Sequence, residues 1–80
     1  MNCIQFDINN IPCEIVRLDN GYMLLAKNEE KIFLHSHEIY LWLSGRIEVS
    51  DGLSISKSLL NEPKIERVLK FVGVESSRYL

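Results

Sequence analysis

The chain has 80 residues, 46% hydrophobic and 25% charged, with a formal net charge of -2. That makes one domain near the lower size limit for a single core, too rich in apolar residues to stay disordered. The small negative charge excludes a general attraction to nucleic acid, and no apolar run approaches the roughly 18 residues that span a bilayer. Residues 1–10 carry Asp7 and no cation, unlike a secretory signal, so a cytoplasmic location is expected.

Residues 3–8 alternate, with Ile4, Phe6 and Ile8 on one side and Gln5 and Asp7 on the other, the pattern of a half-buried strand. Asn9-Asn10-Ile11-Pro12 reads as a turn, and residues 13–19 as the second strand. With a turn at Asn9-Asn10, Cys3 falls opposite residue 16 or 17 and Cys13 opposite residue 6. The two thiols do not face each other, and no disulfide is expected.

Asn20-Gly21 is the strongest local signal, because both central residues of a type I′ turn need positive φ. That turn sets Leu18 opposite Met23, Val16 opposite Leu25 and Glu14 opposite Lys27, with Arg17 meeting Leu24 and Ile15 meeting Ala26 on the other face. Asn28-Glu29-Glu30 reads as the next connection and residues 31–35 as the next strand, which brings Leu25 near Phe33 and Leu24 near Leu34. One face then carries Val16, Leu18, Met23, Leu25 and Phe33; the other carries Ile15, Leu24, Ala26, Ile32 and Leu34. Both faces are apolar, and the rest of so short a chain is hard pressed to cover two.

Ser36 reads as a helix N-cap, with Glu38 in the first turn, a stripe of Ile39, Trp42 and Leu43, and Gly45 at the end. Trp42 fits a core anchor; Tyr40 and Leu41 point elsewhere, to the surface or an interface. Residues 47–49 read as extended and Asp51-Gly52 as a turn. Ser54 is placed to cap a short helix over residues 55–60, with Ile55 and Leu59 inward. Pro63 opens the clearest helix, where Ile65, Val68, Leu69 and Val72 follow helical spacing and Gly73 closes. The tail from about residue 75 reads as frayed. No repeat or linker divides residues 1–80, which form a single domain.

The dense metal-ligand candidates are His35 and His37, without an evident third ligand, so no metal site is expected. Neither cysteine has a base or an electropositive pocket beside it, and no phosphate loop or nucleophile elbow is present. No catalytic residue and no cofactor is expected, and the chain reads as a non-enzyme. Lys57, Lys64, Arg67 and Lys70 decorate the two C-terminal helical segments, where a helix-turn-helix would meet DNA, but Glu62 and Glu66 share the last helix and would repel phosphate. The fold class expected is α+β: a three- or four-stranded antiparallel sheet followed by two or three short helices on one face, in a winged-helix-like arrangement.

The stretch Gly21-Tyr22-Met23-Leu24-Leu25, then Lys31-Ile32-Phe33-Leu34, then Ile39-Tyr40-Leu41-Trp42-Leu43-Ser44-Gly45 resembles the PqqD-like peptide-recognition domains, which belong to systems that modify ribosomally made peptides. The likeness covers about residues 14–72 and its motifs are generic. His35 stands where the family prefers Asn, Ser44-Gly45 replaces Asp-Gly, residues 1–11 add a strand, and residues 47–53 are an insertion. The resemblance implies that a leader peptide adds as a strand beside residues 31–35 and presses apolar side chains against the helix of residues 63–72. Partner contacts would then come from Ile32, Phe33, Leu34 and His35 on the strand and from Lys64, Arg67, Val68 and Phe71 on the helix, with Lys64, Arg67 and Lys70 steering acidic leader residues.

Function follows as an expectation: non-catalytic binding of a peptide or protein partner through a sheet edge and the C-terminal helix, as a small adaptor. Two alternatives stand beside it. One is a small DNA-binding or transcription-modulating protein, for which nucleic acid is the less favoured partner. The other is a homodimeric inhibitor or adaptor of phage or plasmid type that covers its second sheet face with its own copy.

Overall fold

A computed structural model describes residues 2–74; the tail expected to fray lies outside the described residues. Four strands, β1 (Cys3–Ile8), β2 (Ile11–Leu18), β3 (Gly21–Ala26) and β4 (Glu29–Phe33), form an antiparallel meander in sequence order. Helix α1 (Ser36–Leu43), a short 3-10 turn (Asp51–Leu53) and helix α2 (Pro63–Phe71) follow. The fold is thus α+β, with a four-stranded antiparallel sheet and two α-helices among the described residues.

The turns set the register, and two of them differ from expectation. Asn9 and Asn10 have φ of 51° and 67°, and Lys27 and Asn28 have 50° and 63°. Paired positive φ is the mark of the type I′ hairpin, whose twist matches that of the strands it joins. The first hairpin therefore pairs Cys3 with Val16 and Phe6 with Cys13, as the sequence predicts, and both cysteines are free. In the second hairpin Asp19-Asn20 makes the loop, and Gly21 is already in β3, opposite Leu18. Glycine is needed there because a Cβ would collide with the carbonyl oxygen of Phe33 on the neighbouring strand. Val16 consequently faces Met23 and Glu14 faces Leu25. This is a shift of two from the expected pairing, and an even shift leaves every side chain on its face.

The third hairpin shifts by an odd number. A two-residue turn at Lys27-Asn28 replaces the expected three-residue connection, so Met23 faces Ile32 and Tyr22 faces Phe33. A side-chain period of two turns any odd slip into an exchange of faces. Phe33 thus joins Ile15, Leu24 and Ala26 in the core, and Ile32 moves to the opposite face beside Met23.

The core lies between the inner sheet face and the two helices. Ile4, Ile8, Cys13, Ile15, Leu24, Ala26 and Phe33 meet Ile39, Tyr40, Trp42 and Leu43 of α1 and Ile65, Val68 and Leu69 of α2. Trp42 is completely buried, stacks on Phe33 at 6.2 Å between ring centroids, and donates its indole N–H to the Leu53 carbonyl at 3.0 Å. Truncating such a side chain to alanine typically costs about 3–5 kcal/mol. Tyr40, expected at a surface or interface, is only 2% exposed.

His35, not Ser36, is the N-cap residue of α1, and Glu38 accepts its backbone N–H at 3.3 Å. Both helices end in a glycine-centred cap: Arg46 N–H reaches the Leu41 carbonyl at 2.9 Å, and Val74 N–H the Leu69 carbonyl at 2.9 Å. The helix expected over residues 55–60 does not form. Ser54, Ser56 and Ser58 alternate through it, and serine hydroxyls compete for the backbone groups that a helix would pair. Ser58 Oγ accepts from Leu60 N–H at 3.3 Å, and Ser54 Oγ donates to the Ser50 carbonyl at 3.4 Å. The segment instead ties to α1 through Leu59 N–H and the Leu43 carbonyl at 3.0 Å.

Candidate partner-binding surface

Among the described residues, no helix packs on the outer sheet face. Its strand positions, read from the register, are Cys3, Gln5 and Asp7; Pro12, Glu14, Val16 and Leu18; Met23 and Leu25; Glu30 and Ile32. Leu18 is 40% exposed and Ile32 49%, and Leu34, just past β4, is 64%. Val16, Met23 and Leu25 are half-buried against one another. A cluster of this size left open on a lone subunit marks a contact surface more often than isolated apolar residues do.

The acids lie toward the other end of the same face. Glu14 and Glu30 both pair with Leu25, one from each side. A shallow open depression of about 520 Å³ runs between Gln5, Glu14, Leu25, Glu30 and the Lys27-Asn28 turn. The Glu14 carboxylate beside Cys3 pushes that thiol's pKa up, and burial pushes that of Cys13 up as well. Both are the reverse of what an activated thiolate needs. No strand position on the outer face holds a base. Arg17 lies on the inner face, with its guanidinium 4.3 Å from the Phe71 ring centroid and one N–H on the Phe71 carbonyl.

Strand β4 is one edge of the sheet, and among the described residues 29–34 make no backbone hydrogen bond outside it. The predicted contact residues divide sharply around that edge. Ile32 and Leu34 are exposed beside it, and His35 follows at the start of α1. Phe33, expected at the surface, is 1% exposed in the core. The four residues taken from the C-terminal helix lie elsewhere, because α2 packs chiefly against β1 at the opposite edge. Lys64 pairs with Asp7 of β1 at 3.2 Å, Val68 is fully buried, Arg67 is exposed on the helix, and Phe71 sits under Arg17. Neither of the two depressions lined by β4 residues reaches a residue of α2. Val16, Leu18, Met23 and Leu25, which the expected contact set lacks, follow from the alternation of the second and third strands.

His35 and His37 do not converge on further ligands, and among the described residues no group of three or more His, Cys, Asp or Glu side chains is placed to hold a metal ion. No described helix is long and apolar enough to cross a membrane. No protein-family model, curated protein or solved structure matches the chain.

Proposed function

We propose that this chain is a non-catalytic binding module that takes an extended segment of a peptide or protein partner along β4 and the adjoining outer face. The observation that carries this reading is an edge strand with unused backbone groups, flanked by exposed Leu18, Ile32 and Leu34. Strand addition draws affinity from main-chain hydrogen bonds and specificity from alternate side chains, and this edge offers both. The likeness to PqqD-like domains supports the same mode in outline. The helix next to β4 is α1, however, so the contact set becomes Ile32, Leu34 and His35 with Leu18 and Met23, and the α2 residues drop out of it.

A winged-helix mode of DNA binding has less support. Lys64 is engaged by Asp7 and Glu62, and Lys70 by Glu66, which leaves α2 without a clear phosphate-facing row.

The test is selection of a displayed random-peptide library on the immobilised protein. Peptides enriched on the native chain are expected to lose at least ~10-fold in affinity for Ile32→Asp, a loss of about 1.4 kcal/mol. Circular dichroism should show that variant folded, since the side chain is half exposed. Enriched peptides that bind native and variant alike would reject the surface.

A further inference from the structure

We infer that the segment added to β4 carries an apolar, an acidic and a basic residue in succession, set opposite Ile32, Lys31 and Glu30. The inference rests on the strand-addition reading above and names the chemistry of its partner. Residues directly opposite in a ladder share a face, with Cβ atoms about 4.5–5.5 Å apart; opposite charges there stabilise and like charges do the reverse. On the outer face Ile32 calls for an apolar neighbour, and Glu30 makes no ion pair among the described residues. Glu14 reinforces it from the far side of Leu25, so the acidic end of the face has no cation of its own on any strand position. A base on the incoming strand supplies one. On the inner face Lys31 is exposed between Glu29 and Phe33, without an ion pair among the described residues, and calls for an acid.

The same charges make a second copy of the chain an imperfect complement. Two antiparallel β4 strands related by a two-fold axis keep like faces together. Centring the pair on Lys31 sets that charge against itself and centring it on Ile32 sets Lys31 against Phe33, whereas centring it on Glu30 opposes the two Glu30 carboxylates on the outer face but pairs Glu29 with Lys31 twice on the inner face. A short edge carrying Glu29, Glu30 and Lys31 is also how sheets deter indiscriminate pairing. The edge is therefore selective, favouring a strand of complementary charge order.

Two backbone-cyclised hairpin peptides of identical composition test this, one with Val-Glu-Lys on its free edge and one with Val-Lys-Glu, titrated by calorimetry. The native chain is expected to favour Val-Glu-Lys by ~10-fold at low salt, with the preference shrinking as salt rises. The double variant Glu30→Lys with Lys31→Glu is expected to reverse the order. Equal affinities, both lost in Ile32→Asp, would overturn the charge order and leave strand addition standing. Failure of both peptides to bind would overturn both.

Discussion

At Gly21 and Gly73 the same residue type answers two different demands. Gly73 has φ of 80° and open space where a Cβ would stand, so only the left-handed backbone requires glycine there. At Gly21 the φ is 158° and the obstacle is the Phe33 carbonyl, a backbone atom locked in the β3–β4 ladder. Gly73→Ala should therefore cost about 1–2 kcal/mol, the penalty for an L-residue in that region. Gly21→Ala should cost more, about 3 kcal/mol, because a strand must move. Urea denaturation of the two variants measures this, and equal losses would show that the close approach is not what fixes Gly21. The sequence marks both glycines plainly. It cannot distinguish a residue needed for positive φ from one needed for proximity, since the second depends on a strand that arrives twelve residues later. That is why Asn20-Gly21 reads as a type I′ turn while the turns with paired positive φ fall at Asn9-Asn10 and Lys27-Asn28.

Among the elements, the third hairpin decided which side chains became the core. The existence of four strands, the outward turn at Asn9-Asn10, the caps at Gly45 and Gly73 and the helix opened by Pro63 are all legible, because each is written in adjacent residues. The register of β4 is not, because Lys27 is a poor residue for positive φ and nothing local marks it as a turn centre. Burial of Phe33 against Trp42 compels the two-residue turn from a distance. Lys27 then holds a φ of 50° against its preference. Lys27→Asn, with a residue that tolerates this region, should raise stability by about 0.5–1 kcal/mol without moving the register. Thermal unfolding checks it, and a midpoint unchanged or lowered would show that the lysine carries no strain or holds another contact that matters more. The absent helix over residues 55–60 has the same character: its apolar spacing is helical, but the alternating serines and the anchors at Leu43 and Leu53 outweigh that spacing.

For the molecule as a whole, the question is whether the outer face is dispensable to folding. The inner face is sealed by two helices and the segment between them, and Phe33 and Trp42 sit at its centre. The outer face contributes only partial burial, so a lone subunit should fold without it. Leu18→Lys with Ile32→Lys is accordingly expected to keep the native circular dichroism and to change the unfolding free energy by about 1 kcal/mol or less, while reducing binding of the dye ANS. Phe33→Asp places an unpaired charge in the core and should abolish the fold outright. A homodimer sealed through the outer face predicts the opposite: the Leu18 and Ile32 variant would lose much of its stability, and the native midpoint would rise with protein concentration by mass action. Thermal unfolding across a hundredfold range of concentration separates these cases. A midpoint independent of concentration, with the double variant intact, leaves the outer face free for a partner of different sequence, and a rising midpoint assigns it to the chain itself.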